Sequence, residues 1–590
     1  MSNVFRSPIA EQMWDMKYRL KKYDGTPIDL TVQDTWTRVA KALAAPENDK
    51  EKWEKEFYEA LESFKFIPAG RINAGAGADS RNVTLFNCFV MGTVEDSLSG
   101  IFDALKEAVL TMQQGGGIGY DFSTLRPQGS EVKGVASDSS GPLTFMDVWD
   151  ASCRTIMSAG VRRGAMMATM RCDHPDIEKF IEAKRDPLRL RMFNMSVLVT
   201  DKFMKAVKRN KPFDLVFNGK VYKTINARSL WDKIMSSTYH YAEPGVIFID
   251  RINEMNNLNY IETIACTNPC GEQPLPPYGA CLLGSVNLVA LLQDDYTINY
   301  EELRKVVTTA VRMMDNVIDV SKFPLPVQEE EAKNKRRIGL GVTGLADALA
   351  LGGITYGSEE AIAWVDKVMG AIARYAYEAS IELAKEKGSF PLLDVDAFLS
   401  SGNMVDMPES IREAVRKHGI RNALLTSIAP TGTISLFAGN VSSGIEPIFA
   451  LSYERKVMQK DGSKVTELVE DYGVTKFRRD NPGKPLPKSF VTAQTLSPSA
   501  HVRMQAAAQR WIDSSISKTI NVPEDINFDD FKRVYMEAYD LGCKGCTTYR
   551  PNDVTGSVLK ATEEGQVEES GACEIKYDEN TGQLIRSCEV

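Results

Sequence analysis

Apolar and polar positions divide the chain into two textures. Residues 1–65 are mostly polar, with Trp14, Leu20, Trp36, Val39 and Leu43 as scattered anchors, which predicts short helices with one buried face each. From Phe66 onward, Gly-rich turns separate short apolar runs from helical periods. Ile101, Phe102, Leu105, Ala108, Val109 and Met112 recur at the spacing of one helical face and predict a helix over Ile101–Gln114. Phe145, Val148, Trp149 and Ile156 predict another over Leu143–Ser158. Ser196–Val199 and Leu215–Phe217 read as strands, and the continued alternation of strand and helix signals predicts an α/β architecture without internal repeats. Beyond Pro551 the chain turns Glu- and Gly-rich, so residues 551–572 are expected to form a flexible acidic linker to the last cysteines.

Composition narrows the function classes. Of 590 residues, 43% are hydrophobic and 25% charged, ordinary for a globular protein with a sizeable core. The net charge of −9 argues against nucleic acid or an anionic membrane surface as partner, since both select basic patches. The N-terminus has no apolar signal core and no apolar run nears the roughly 18 residues of a membrane span, so a cytoplasmic protein is expected. Four histidines are too few for a His-rich metal site. Ten cysteines are too sparse for a disulfide scaffold, and they fall into two sets. Six lie before residue 282, and Cys543, Cys546, Cys573 and Cys588 lie in the last 48 positions.

The densest chemistry is Asn268-Pro269-Cys270-Gly271-Glu272-Gln273-Pro274, continuing to Pro277. Prolines and glycine exclude a regular helix or a central strand and predict a rigid loop presenting a carboxamide, a thiol and a carboxylate. Such a trio can donate hydrogen, accept a proton and fix a hydroxyl; a Pro-rich surface turn around a buried cysteine would have the same texture. Cys281 follows in Ala280-Cys281-Leu282, and Cys88 sits in the strand-like Leu85–Val90; each alone reads as a core cysteine. Gln114–Gly119, which includes Gly117, lets backbone approach a ligand closely. Pro430, Thr431, Gly432, Thr433, Ile434 and Ser435 offer hydroxyls and N–H groups suited to a phosphate, or form a tight turn. Gly339–Gly344 matches GxGxxG, but no ribose-binding acid or clear first strand accompanies it, and it reads as a packing turn. Cys543-Lys544-Gly545-Cys546 is a CxxC, either redox-active or half of a zinc site completed by Cys573 and Cys588.

Together these segments resemble the ribonucleotide reductases, in their adenosylcobalamin-dependent (class II) form, over Phe66 to Arg550. The pieces that carry the resemblance are Phe66–Ile72, Phe86–Val90, Gln114–Gly119, Gly160–Ala165, Asn268–Leu275, Arg337–Ala348 and Pro430–Ser435, in that order. The resemblance implies a helical region over 1–65, a ten-stranded α/β barrel of two five-stranded halves over 66–550 with Cys270 on a central finger loop, and a Cys-containing tail over 551–590. It implies that Cys270 carries a thiyl radical, that Glu272 and Asn268 handle the 3′-hydroxyl, and that Cys88 and Cys281 are the reducing pair. Gly117 and Pro430–Ser435 would line the substrate site. Asp96, Ser97 and Arg126 would bind a deoxynucleoside triphosphate effector, with Arg162 and Arg163 relaying its identity.

Two departures bear on the class. Where iron-dependent relatives carry a tyrosine pair, this chain has Thr547 and Thr548, and no C-terminal glycyl-radical motif is found. Adenosylcobalamin is therefore the expected radical source; with no DxHxxG, a protein histidine on cobalt is not expected. The stretch before Phe66 is too short for the family's ATP-cone, so an overall ATP–dATP switch is not expected. The resemblance further implies ribonucleoside diphosphate substrates, a thioredoxin-like reductant and a homodimer. The tail cysteines would serve as an electron shuttle or bind zinc. An iron-type chain needing a radical-generating partner, and a silent nucleotide-binding regulator, are the competing readings.

Overall fold

The computed structural model describes the chain apart from residues 1–3, 6, 79–82, 133–136, 157–164, 187, 459–463, 552–558, 562–566, 570–573, 579–582 and 588–590. Near the N-terminus, helices Pro8–Met13, Val32–Ala44 and Lys50–Leu61 bury the predicted anchors Trp14, Leu20, Trp36, Val39 and Leu43. A reciprocal cap starts the second of these: the Thr31 hydroxyl accepts from Asp34 N, and the Asp34 carboxylate accepts from Thr31 N at 2.7 Å. Trp14 Nε1 donates to Thr35 Oγ1 at 2.8 Å, so the indole is buried with its polar atom satisfied.

The remainder is mixed α/β. Five parallel strands, Cys88–Val90, Gly117–Asp121, Met166–Arg171, Phe193–Val199 and Gly245–Phe248, lie side by side in chain order. Helices Leu98–Gln113, Pro142–Thr155 and Ala227–Tyr241 lie in the connections. Ile118, Met170, Val197 and Val246 are all buried, as expected of strands covered on both faces. One edge of this sheet adds Ala280–Cys281, antiparallel to Cys88–Val90. The other adds Gly545–Tyr549, antiparallel to Gly245–Phe248, and then Thr519–Asn521, parallel to its neighbour. A second sheet orders Phe66–Pro68, Leu283–Asn287 and Gly339–Thr343. Single parallel bridges join Leu340 to Thr426 and Ile428 to Ile516.

The helix expected at Ile101 starts at Leu98, because Ser97 caps it by accepting from Gly100 N at 3.0 Å. The helix expected at Leu143 starts at Pro142, where a missing N–H costs nothing. Leu215–Phe217 belongs to a hairpin of Pro212–Phe217 with Lys220–Asn226. The GxGxxG segment is a correction: Gly339–Thr343 is a fully buried strand, not a turn, and only Gly344 has a left-handed backbone. Its glycines permit close packing, a role that sequence texture cannot separate from turning. Past Pro551, the backbone pairs Leu559–Ala561 with Val567–Glu569 and Glu574–Asp578 with Gln583–Ser587. Among the described residues no helix is long and apolar enough to cross a membrane.

Helices Leu345–Leu351 and Tyr472–Asp480 bring together two buried carboxyl groups, Asp347 and Asp471. Asp347 Oδ2 accepts from Ser442 N at 2.9 Å, and Asp471 caps its helix by accepting from Val474 N. Burial raises Asp347 to about 7. Burial and the neighbouring Asp347 carboxylate push Asp471 well above the carboxylate range. Both groups hold protons more tightly folded than unfolded, so the stability they contribute is complete below about pH 3.8, and the Asp347 share is lost as pH rises through 7. Asp347→Asn removes that titration. The variant's stability relative to the parent chain should therefore rise between pH 4 and 8 by at least ~1 kcal/mol, about one pKa unit's worth. A denaturation series showing a pH-independent difference would contradict the shared-proton arrangement.

Candidate active site

Cys266–Thr267 pairs antiparallel with Pro274–Leu275, making a narrow hairpin whose tip is Asn268–Gln273. Asn268 builds the tip. Its N–H donates to Gln273 O at 3.2 Å, its Oδ1 accepts from Gln273 N at 3.0 Å, and its carbonyl accepts from Gly271 N at 3.0 Å. Its buried Nδ2 meets no protein acceptor, leaving both of its N–H donors for a ligand oxygen. Asn194 Nδ2 donates to Pro269 O at 2.8 Å. On the far side, Glu272 O accepts from Ser427 Oγ at 2.8 Å and from Ser515 N at 3.0 Å. The tip is therefore tied both to the five-strand parallel run and to the segments around 427 and 515.

The walls around this hairpin come very close. A Cβ at Gly119 would collide with the Thr267 carbonyl, and one at Gly339 would lie 2.5 Å from Gln273 Nε2. Glycine at these two positions makes room for the finger. A Cβ at Gly117 would stand 3.0 Å from Cys88 Sγ and 3.4 Å from Pro269 Cγ, so Gly117, Cys88 and the fingertip adjoin.

Cys270 is exposed, whereas the other seven described cysteines are buried. It opens into a cavity of about 320 Å³ whose lining includes Asn194, Glu243, Ser515, Lys544 and Thr547. Glu272, two residues on, is buried. Cys88 and Cys281, 193 residues apart in sequence, are direct partners across the antiparallel pairing. Such partners have Cα atoms roughly 4.5–5.5 Å apart, within the roughly 4.4–6.8 Å a disulfide spans. No disulfide joins them here. Burial pushes the Cys281 thiol well up, followed by its hydrogen bond with Cys88 and the charges of Cys88, Glu272 and Cys270. The four groups thus share one electrostatic neighbourhood, in which Cys281 is a protonated thiol.

The Pro430–Ser435 segment enters helix Gly432–Phe437 through Thr431 at φ 54°. Its hydroxyls do not all face outward. Thr431 Oγ1, Ser435 Oγ and Thr343 Oγ1 form a buried triangle with edges of 2.9–3.2 Å, and Thr431 Oγ1 also accepts from Gly444 N at 2.7 Å. Gly432 and Thr433 are exposed, Pro430 is half-buried and Ile434 is buried. The same triangle reaches Ser442 O through Thr343 and so adjoins the Asp347 pair.

Asp96, Ser97 and Arg126 lie together at the start of helix Leu98–Gln113. Asp96 Oδ2 accepts from Arg126 Nε at 2.9 Å, and Asp96 Oδ1 from Arg126 N at 3.1 Å. Arg162 and Arg163 lie outside the described residues, as do Cys573 and Cys588. Cys543 and Cys546 are buried, and burial pushes the Cys543 thiol up to about 12. Among the described residues no His, Cys, Asp and Glu side chains group as a metal site.

Sequence reasoning missed the residues that hold the finger, Asn194, Ser427 and Ser515, and the buried Lys544 beside them. Asn194 had a signal, as a carboxamide inside the largely apolar run Met192–Val199; the others had none.

Comparison with known proteins accounts for this arrangement. The family description "Ribonucleotide reductase, barrel domain" matches residues 86–549, and "Ribonucleotide reductase, all-alpha domain" matches residues 4–81. A "Vitamin B12-dependent ribonucleoside-diphosphate reductase" of Mycobacterium tuberculosis (strain CDC 1551 / Oshkosh) is 37% identical over 94% of this chain and 82% of its own length. A protein of the same name from Thermoplasma acidophilum is 37% identical over 94% of this chain and 72% of its own length. The "Ribonucleoside-diphosphate reductase subunit alpha" of Chlamydia pneumoniae is 27% identical over 92% of this chain and 58% of its own length. With both family descriptions matched in order and nearly the whole chain aligned to such relatives, this chain belongs to the ribonucleotide reductase family.

Proposed function

We propose that this chain reduces ribonucleoside diphosphates to 2′-deoxyribonucleotides by thiyl-radical chemistry, with adenosylcobalamin as its radical source. The observation that carries the reading is the convergence of Cys270, the one exposed thiol among the described residues, with the buried Glu272 and the facing pair Cys88–Cys281. The names of the relatives support the substrate class and the cofactor.

Each side chain has work suited to its place. Cys270, as a thiyl radical, takes the 3′ hydrogen of the ribose. Glu272 accepts the 3′-hydroxyl proton, and Asn268 Nδ2 donates to an oxygen in the same region. Cys281, held protonated by burial, can give a proton to the departing 2′-hydroxyl, which leaves as water. The Cys88–Cys281 pair supplies two electrons and two protons and ends as a disulfide, and Cys270 returns hydrogen to C3′. Gly432 and Thr433 are the exposed part of the segment assigned to the substrate phosphates.

The residues present suit the reacting face of the cofactor. Cys270 opens into a cavity too small to enclose the whole group, where Ser515 and Thr547 offer hydroxyls beside Gly271 and Gly545; these residues would hold the part that reaches the thiol. The chemistry it supplies when bound is homolysis of a cobalt–carbon bond. Thr547, at a position where iron-type relatives carry a tyrosine, lines the same cavity.

The strand pairings support a ten-stranded barrel. Leu340–Thr426 and Ile428–Ile516 link Gly339–Thr343 to the segments leading into Thr519–Asn521. Ala280–Cys281 runs on into Leu283–Asn287, so one continuous segment touches both sheets. The ring would then be two parallel halves of five meeting at two antiparallel seams. Domain limits at 65 and 550 are supported by a helical turn ending before Phe66 and by the last strand of the largest sheet ending at Tyr549.

A homodimer is the assembly favoured. Helix Leu98–Gln113 buries Ile101, Ala104, Ala108 and Met112, yet leaves Leu98 67% and Phe102 53% exposed, in line with the half-buried Leu105 and Val109. Covering a leucine or phenylalanine is worth about 1.5–3 kcal/mol, so a second copy of this stripe is a natural cover. Deoxynucleoside triphosphate effectors would then bind beside it at Asp96, Ser97 and Arg126, with Arg162 and Arg163 as relay. The Cys573–Cys588 tail would carry electrons from a thioredoxin-like reductant, with zinc as the alternative ligand.

The reading is tested by anaerobic turnover of each ribonucleoside diphosphate. The lone chain should be active with added adenosylcobalamin and inactive without it. Cys270→Ser should abolish product formation but leave nucleotide binding within about twofold, since an alcohol is a far poorer hydrogen-atom donor. Glu272→Gln should lower kcat by two to four orders of magnitude, roughly the worth of a general base. Deoxynucleotide formation by Cys270→Ser, or cofactor-independent turnover, would overturn the assignment. The assembly is checked by sedimentation: Phe102→Glu should shift a dimer to monomer with the fold intact, and an unchanged sedimentation coefficient would rule this helix out of the interface.

A further inference from the structure

Lys544 is buried, and burial lowers it to about 8, against the opposing pull of Asp513. Its Nζ donates to Ser514 O at 2.6 Å and Asp513 O at 2.8 Å, with Ile512 O at 3.5 Å. An ammonium so enclosed is expensive unless its donors are matched, and here backbone carbonyls match them. The strip it grips is held from the opposite side too. Asp513 Oδ2 accepts from Leu425 N at 2.7 Å and Tyr377 OH at 2.8 Å, Asp513 Oδ1 accepts from Thr426 N at 2.9 Å, and Ser514 N donates to Thr426 O. The next residue, Ser515, gives its N–H to the Glu272 carbonyl.

We propose that Lys544 is a positioning residue: its ammonium, by gripping the 513 and 514 carbonyls, fixes the height at which Ser515 and Ser427 hold the Glu272 carbonyl, and so the depth of the Cys270 tip. The gripped Ser514 carbonyl and the Ser515 N–H belong to one peptide unit, and the Asp513 carbonyl to the unit before it, so the strip cannot shift at one end without moving the other. Lys544 and Cys270 also line the same cavity, which puts the grip beside the tip it sets. The inference rests on the proposed function only for what the tip does; the mechanical link stands on hydrogen bonds alone.

The test is Lys544→Met, studied in the folded fraction from gel filtration with adenosylcobalamin present. Two readouts are taken: steady-state constants for a ribonucleoside diphosphate, and the rate at which iodoacetamide alkylates Cys270, followed by peptide mass spectrometry. The expected result is a kcat at least tenfold lower with KM within twofold, and Cys270 alkylation changed at least threefold while Cys88 and Cys281 keep parent rates. If Lys544→Met does not fold, Ser427→Ala removes the other donor to the Glu272 carbonyl and should give the same pattern. Unchanged kcat and unchanged Cys270 alkylation in folded protein would overturn the proposal, as would a loss confined to KM. If the parent chain itself reduces no nucleotide, the functional reading fails, and the alkylation rates still decide the grip.

Discussion

The rest of the structure depends on one close approach. A hairpin only two residues wide on each side lies between backbones that carry no side chain at the points of contact. Gly119 faces the Thr267 carbonyl and Gly339 faces the Gln273 side chain, so a methyl at Gly119 would force the finger backbone out of place and one at Gly339 would displace the Gln273 carboxamide. Everything chemical is referenced to that seating. The thiol at the tip is open to a cavity, the carboxylate beside it is buried, and the reducing pair lies within reach of both charges. Hydrogen bonds to Pro269 O and Glu272 O then hold the tip against sliding along the gap.

The placement of thiols suits the duties proposed for them. A thiol that exchanges hydrogen with a substrate must meet it, and Cys270 is exposed. A pair proposed as the reductant must hold its protons until a leaving group calls for them, and burial does this for Cys281. Cross-strand register makes the pair permanent geometry rather than a chance encounter, because each thiol's height is fixed by the ladder that also supports Phe89 and Ala280. The chemistry is thus divided between an accessible tip and an inaccessible seam.

Much of this was legible in the sequence. The anchors of the N-terminal helices, the helix at 98–113, the α/β alternation and the special character of Asn268–Pro274 all follow from periodicity, proline and glycine. The resemblance to a known family supplied what texture could not: that Cys88 and Cys281, core cysteines by any local reading, face each other. Gly339–Thr343 was misread because a glycine that admits a neighbouring backbone is written like a glycine that turns. Ser427, Ser515 and Lys544 were invisible because they act through main-chain carbonyls, whose partners are set by the strand register of distant segments. The inward turn of the Thr431 and Ser435 hydroxyls was hidden for the same reason, since their partner, Thr343, lies about ninety residues away in sequence.

The position of the finger in the chain has a consequence for assembly during synthesis. Five parallel strands, from Cys88 to Phe248, precede it, and the segments that contact its other side, around residues 339, 427 and 515, follow it. A chain emerging N-terminus first therefore completes one wall, lays the hairpin against it, and only then makes Ser427 and Ser515 available to close over the tip. Gripped from both sides, the hairpin would be hard to thread in afterwards. Order of emergence thus does work that affinity alone would do poorly: the core is built around its insert, as masonry is built around a lintel already in place.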